Sequence, residues 1–212
     1  MTAGLLAGAL VLAAGASLDA GPSGEQVIHG SAKFQRNGAK TRIKAADNTI
    51  INYQSFDIAG HETVRFVQPS EAARVLNRVM SADPTTISGR LLANGQVYLV
   101  NQAGVHVKQG AVVNVGRFYA AAANISNEDF LAGRDLFTDA TGSVINGGRI
   151  SANSAVLFGQ HVKNTGSVLV EDGTLALVSG DSLYLQEQDG HLMARIDQAP
   201  GKKPGEKGVT ND

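Results

Sequence analysis

Between residues 91 and 116 the chain reads LLANGQVYLVNQAGVHVKQGAVVNVG. Apolar positions alternate in short bursts: Val97 and Leu99, Val105 and Val107, then Ala111, Val113 and Val115. Asn94-Gly95, Ala103-Gly104 and Gln109-Gly110 separate the bursts, and Gly116 closes the run. A period of two predicts strands with one face turned to a core. Strands this short, each broken by glycine, turn a corner every few residues. The same period holds for most of the chain from Glu25 to about Ile196. PSEAARVLNRVM departs from it: Ser70 can cap a helix, and Ala72, Val75, Leu76 and Val79 fall at helical spacing. Val75, Asn77 and Val79 also alternate, so residues 71–80 read as either helix or strand.

The bursts repeat. VINGGRISA at 144–152 aligns without a gap on VKNTGSVLV at 162–170: Val144 on Val162, Asn146 on Asn164, Gly148 on Gly166, Ile150 on Val168. TGSV at 141 recurs at 165. Coils of about 20 residues with Asn and Gly at the bends fit a parallel β-helix, whose inward aliphatics stack from coil to coil. Asn146 and Asn164, at equivalent bends, are candidates for a hydrogen-bonded asparagine ladder. If residues 25–196 form roughly eight coils, the rod is about 40 Å long. An antiparallel sandwich or barrel also has short strands and turns, and the pattern alone leaves it open.

Composition narrows the picture. Of 212 residues 43% are apolar but only 5% aromatic, so small aliphatics must fill the core. A net charge of -1 argues against a nucleic-acid partner. The ends differ from the middle. Leu5 to Ala14 is an apolar run too short to span a bilayer comfortably, and Ala14-Gly15-Ala16 fits a small-x-small cleavage site. Residues 1–16 therefore read as a signal peptide, although no Lys or Arg precedes the run; a buried helix or short anchor is the plainer alternative. QAPGKKPGEKGVTND, at 198–212, is rich in Pro, Gly and charge, and residues 197–212 read as a disordered tail or linker.

From about Asn48 to Leu185 the chain resembles the N-terminal secretion domain of filamentous-haemagglutinin-like exoproteins of two-partner secretion systems. The residues that carry the resemblance are INYQSFDI (51–58), VRFVQP (64–69), LNRV (76–79), ISGRLLANGQVYLVN (87–101), AVVNVGRFYAAAANISNEDF (111–130) and VLFGQHVKNTGSVLVEDGTLALVSG (156–180). The resemblance implies an all-β fold over 25–196: a right-handed, single-stranded parallel β-helix with N-terminal capping strands and short extra-helical hairpins. By position, VIHGSAKFQ (27–35) belongs to that cap. It also implies a secretion-targeting role. An outer-membrane β-barrel transporter with periplasmic POTRA domains recognises such a domain and threads the exoprotein from the periplasm of a Gram-negative-type bacterium to its surface or the medium, where it folds. An adhesin role and a host-cell or surface ligand, bound through a downstream passenger, follow from the same resemblance, with the domain itself a monomer. The family commonly reads N-P-N-G-I where this chain has Asn101-Gln102-Ala103-Gly104-Val105, and losing the proline should loosen the bend. Tyr53 stands where many members have tryptophan.

The chemistry of secretion suits the composition. A disulfide formed early would staple a loop and obstruct threading, and the chain has no cysteine. Asn94, Gly95, Asn101 and Gly104 are the candidates for transporter recognition, or for turn geometry alone. Some β-helices are carbohydrate-active enzymes, and Glu128, Asp129, Arg134, Asp135 and Asp139 are near in sequence, but a solvated loop explains them more simply. His29, His61, His106, His161 and His191 show no metal-ligand spacing, although His106 and His161 could share a face across coils. No catalytic residue, metal or cofactor is assigned. A stand-alone structural or adhesive β-helix is the third reading.

Overall fold

The short bursts become the sides of a three-faced coil. The structure is a computed structural model, and it describes residues 21–171, 173–188, 191–197 and 208–212. The segment read as a signal peptide, 1–16, lies outside the described residues. Face A has seven strands: Gln26–His29, Thr49–Tyr53, Arg74–Val79, Gln96–Val100, Arg117–Ala121, Ser154–Gly159 and Leu175–Ser179. Face B has five: Thr85–Ile87, Gly104–Val107, Ser143–Asn146, His161–Asn164 and Val209–Asn211. Face C has seven: Ala32–Asn37, Lys40–Ala45, Thr63–Val67, Arg90–Ala93, Val112–Asn114, Arg149–Ala152 and Ser167–Val170. The chain visits C, A and B in turn, and strands that stack within a face run parallel. This is a parallel β-helix.

The N-terminal end is closed by antiparallel strands. Gln26–His29 pairs antiparallel with Thr49–Tyr53, and Ala32–Asn37 folds back on Lys40–Ala45. Six of the seven strands of face A run parallel, the first being this antiparallel cap, so the described residues form six coils where eight were expected. The missing residues leave the coil between faces A and B. One excursion, 122–142, carries the helix Asn127–Leu131 and the strand Asp135–Phe137. The other is the hairpin of Ser182–Gln188 and His191–Asp197, and Asp135–Phe137 pairs antiparallel with it. The two excursions thus form one small sheet outside face A.

Two cores follow. Val97, Leu99, Val105, Val113, Phe118 and Leu157 point inward and stack along the axis, all fully buried. Tyr98, Val100, Tyr119, Ala121, Val156 and Phe158 point outward from face A and are buried under the excursions by Ile125, Phe130, Phe137, Leu183 and Leu185. Strands buried on both sides lose the polar half of their alternation. The same double burial resolves residues 71–80: Arg74–Val79 is a strand, with Val75 and Val79 inside and Leu76 outside, and no helix forms there.

Register settles the repeats. Ser143–Asn146 lies on His161–Asn164, and Arg149–Ala152 on Ser167–Val170, so the 18-residue offset is one coil. The TGSV echo is not an equivalence: Val144 belongs to face B and Val168 to face C. The tail reading needs correction over its last residues. Val209–Asn211 is a strand of face B, with Val209 on Val162 and Asn211 on Asn164. The Val-x-Asn pattern of 144–146 and 162–164 recurs at 209–211, which is why this short segment finds a place on the stack.

Candidate functional site

The four candidate turn residues occupy two different corners. Asn94 and Gly95 join face C to face A; Asn101 and Gly104 join face A to face B. The strand Gln96–Val100 separates them, a span of about 16 Å.

At the first corner the Asn94 side chain copies a strand pairing. Its Oδ1 accepts from the Gln68 backbone N–H at 2.8 Å, and its Nδ2 donates to the Gln68 carbonyl at 2.9 Å. Gln68 is buried, and its Nε2 donates to the Ala73 carbonyl at 2.6 Å and the Gln96 carbonyl at 3.1 Å. Gly95 lies against this group: a Cβ there would stand 2.6 Å from the Ala73 carbonyl oxygen. Two coils are therefore tied at one bend through Asn94 and Gln68. The Gln68 contribution had no periodic signal in the sequence, because it is set by a contact 26 residues away.

At the second corner Asn101 is 1% exposed. Its Oδ1 accepts from the Ala103 N–H at 2.9 Å, and its Nδ2 donates to the Asp83 carbonyl at 3.0 Å and the Thr85 hydroxyl at 3.1 Å. The Gly104 N–H closes the turn onto the Asn101 carbonyl at 2.9 Å. Gly104 has φ +135°, a region that glycine favours, and a Cβ would sit 2.9 Å from the Ser143 carbonyl oxygen. Gln102, where the resembled family commonly has proline, is exposed. Its Nε2 donates to the Asp139 carbonyl at 3.1 Å, and the Thr141 hydroxyl donates to the Gln102 carbonyl at 2.8 Å. The bend expected to loosen without proline is thus pinned from outside by the excursion 122–142.

Asn146 and Asn164 stack on face B. Nδ2 of Asn146 donates to Oδ1 of Asn164 at 2.7 Å, and Nδ2 of Asn164 donates to Oδ1 of Asn211 at 2.6 Å. The Gly148 N–H caps the near end, bonding Oδ1 of Asn146 at 3.1 Å.

The acidic cluster is dispersed by the fold. The Asp129 carboxylate accepts from the Ser126 hydroxyl at the helix N-terminus and from Arg134 at 2.8 Å, and these hydrogen bonds hold it below the usual range. Glu128 also pairs with Arg134, at 3.2 Å. Asp139 accepts from the Thr138 hydroxyl at 2.9 Å. Asp135 turns the other way and accepts from the Tyr98 hydroxyl at 2.9 Å, with Tyr98 and Tyr119 stacked at 4.1 Å. Burial pushes the Asp135 carboxyl up, and burial pushes the Tyr98 phenol well up. Arg74, Gln96, Arg117, Tyr184 and Gln186 complete a cleft of about 500 Å³ around this group. His106 and His161 both lie on face B, but two strands apart and two residues out of register. Among the described residues no group of His, Asp and Glu gathers as metal ligands.

A parallel β-helix with a cap, two excursions on one side and asparagine-tied corners can now be set beside known proteins. The model of the TPS secretion domain family matches residues 19–210. The chain belongs to this family. As a TPS domain it is the secretion domain of a two-partner secretion exoprotein. Its fold matches the crystal structure of the HMW1 secretion domain from Haemophilus influenzae, with a TM-score of 0.79 and 32% identity over 85% of this chain and 50% of that one. The heme/hemopexin-binding protein of Haemophilus influenzae strain Rd is 32% identical over 189 residues, which is 83% of this chain. A second heme/hemopexin-binding protein of Haemophilus influenzae is 37% identical over 106 residues. The matched regions span 21% and 11% of the lengths of these two relatives.

Proposed function

We propose that this TPS domain is the address read by the POTRA domains of an outer-membrane β-barrel transporter, and that it folds once outside the cell. The family match over residues 19–210 carries the reading. On this reading the protein crosses the periplasm unfolded and is released or displayed at the surface of a Gram-negative-type bacterium. The absence of cysteine favours threading, since no disulfide can close a loop inside the pore. The domain performs no catalysis in this scheme: Asp129, Asp135 and Asp139 are each engaged in structural hydrogen bonds. A passenger joined to the domain supplies adhesion or another surface ligand. The name heme/hemopexin-binding protein carried by two relatives makes a haem-carrying host protein the first ligand class to set against adhesion.

Co-expression with and without a two-partner-type outer-membrane transporter tests the address. Transporter-dependent appearance in the medium is expected. Asn94→Ala and Gln102→Ala, each checked for native circular dichroism after purification, separate recognition from folding. Either variant that folds but stays in the periplasm marks its corner as part of the address. If both are exported at wild-type level, the two corners serve the fold alone.

A further inference from the structure

The net charge of -1 conceals an uneven distribution. On the capped end of face C the outward positions are Lys33, Gln35 and Asn37 on one strand, Lys40, Arg42 and Lys44 on the next, then Thr63, Arg65 and Val67, then Arg90 and Leu92. None of these outward positions is acidic. Lys33, Lys40, Arg42, Lys44, Arg65 and Arg90 are all exposed, and among the described residues none of them forms an ion pair.

Register brings like charges together. Lys33 is the direct partner of Lys44 across the antiparallel hairpin, and Arg42 is the direct partner of Arg65 across parallel strands. Lys40 and Arg90 flank Thr63 in one column. Neighbouring strands are about 4.8 Å apart, so the array covers about 14 Å along the helix axis and about 13 Å along the strands. Every cation has another within the Debye length of about 8 Å at physiological salt, and their fields add. Like charges placed opposite each other destabilise a sheet. A surface that carries two such pairs with no acid among the outward positions of its strands is complementary to external negative charge.

We propose that this end of face C docks on the phosphate headgroups of an anionic lipid surface. The array is flat and two-dimensional, three columns wide, whereas a linear polyanion is matched by a stripe or a groove. No aromatic side chain stands among its outward positions. A protein partner would draw on such buried anchors at the centre of its interface. The inference is independent of transporter recognition: it concerns the folded domain and a bilayer.

Sedimentation of the purified chain with phosphatidylglycerol-containing vesicles tests it, with phosphatidylcholine vesicles as the neutral reference. Each Lys or Arg near an anionic surface strengthens partition about fivefold, so Arg42→Gln, Lys44→Gln and Arg65→Gln together should weaken it about a hundredfold. Lys163→Gln, exposed on face B, should leave it unchanged, and raised salt should abolish it. The triple variant removes like-charge repulsion, so its thermal midpoint should not fall, which guards against a folding artefact. Failure of the wild type to sediment with anionic vesicles at low salt overturns the proposal. So does equal sedimentation of the triple variant. Retention on a sulfated polysaccharide without vesicle binding would assign the face to a linear polyanion and also overturn it.

Discussion

Tyr53 is 1% exposed, and its hydroxyl has no hydrogen-bond partner among the described residues. Burial pushes its phenol well above the usual range. An unmet buried hydroxyl costs about 1–3 kcal/mol. Tyr53→Phe keeps the ring in its edge-on contact with Phe56 at 5.1 Å and should raise the thermal midpoint by about 2–4 °C for each kcal/mol recovered, read by calorimetry. Asn101 is the opposite case. Asn101→Ala strips the Asp83 carbonyl, the Thr85 hydroxyl and the Ala103 N–H of their partner and should lower stability by about 1–3 kcal/mol in urea titration. His106 has its pKa lowered, first by burial and then by Lys108. The unfolded chain then binds the proton more readily than the folded one. The His106 contribution is complete above the ordinary histidine pKa of about 6.5 and is lost as pH falls through the lower folded value. His106→Gln should flatten that part of the stability curve.

At the scale of elements, the corner Asn101–Gly104 depends on an excursion that begins about 20 residues later in the chain. Gln102→Ala should leave global stability within about 1 kcal/mol, since the lost contact is exposed, but should speed amide exchange of Thr138 and Thr141. A proline in place of Gln102 would stiffen the turn but could not reach the Asp139 carbonyl. The legible and the hidden parts of the fold divide along the same line. The 18-residue repeat, the inward aliphatics and the stacked Asn146 and Asn164 could be read because a coil repeats its pattern where its neighbours repeat. Arg74–Val79 could not be settled, because burial on both sides of face A erases the alternation that separates strand from helix. The coil count failed for a related reason. Excursions also alternate in period two, and only their pairing in space tells the hairpin of Ser182–Gln188 from another coil. The basic end of face C was invisible to net charge, which sums over faces that never meet.

For the whole molecule, the two cores imply two levels of cooperativity. Where no excursion intervenes, coils pair with neighbours about 20 residues away, as Gln96 with Arg117 and Ala155 with Leu175, so the stack is locally ordered and each added coil buries the last. The outer core is different: Phe137 packs against Phe158, and its strand pairs with Leu183 from two coils further along the helix. It braces the fourth coil to the sixth. Phe137→Ala and Leu183→Ala remove fully buried side chains and should cost about 3–5 and about 2–5 kcal/mol respectively. The double variant should cost less than the sum, because each single change already loosens the shared sheet. The wild type should unfold in one transition. In the double variant the sixth coil, including Leu175–Ser179, should open first, while the capped coils persist. Amide exchange resolved along the chain reads this directly. Uniform loss of protection would mean that the inner stack, not the brace, governs how the domain holds together.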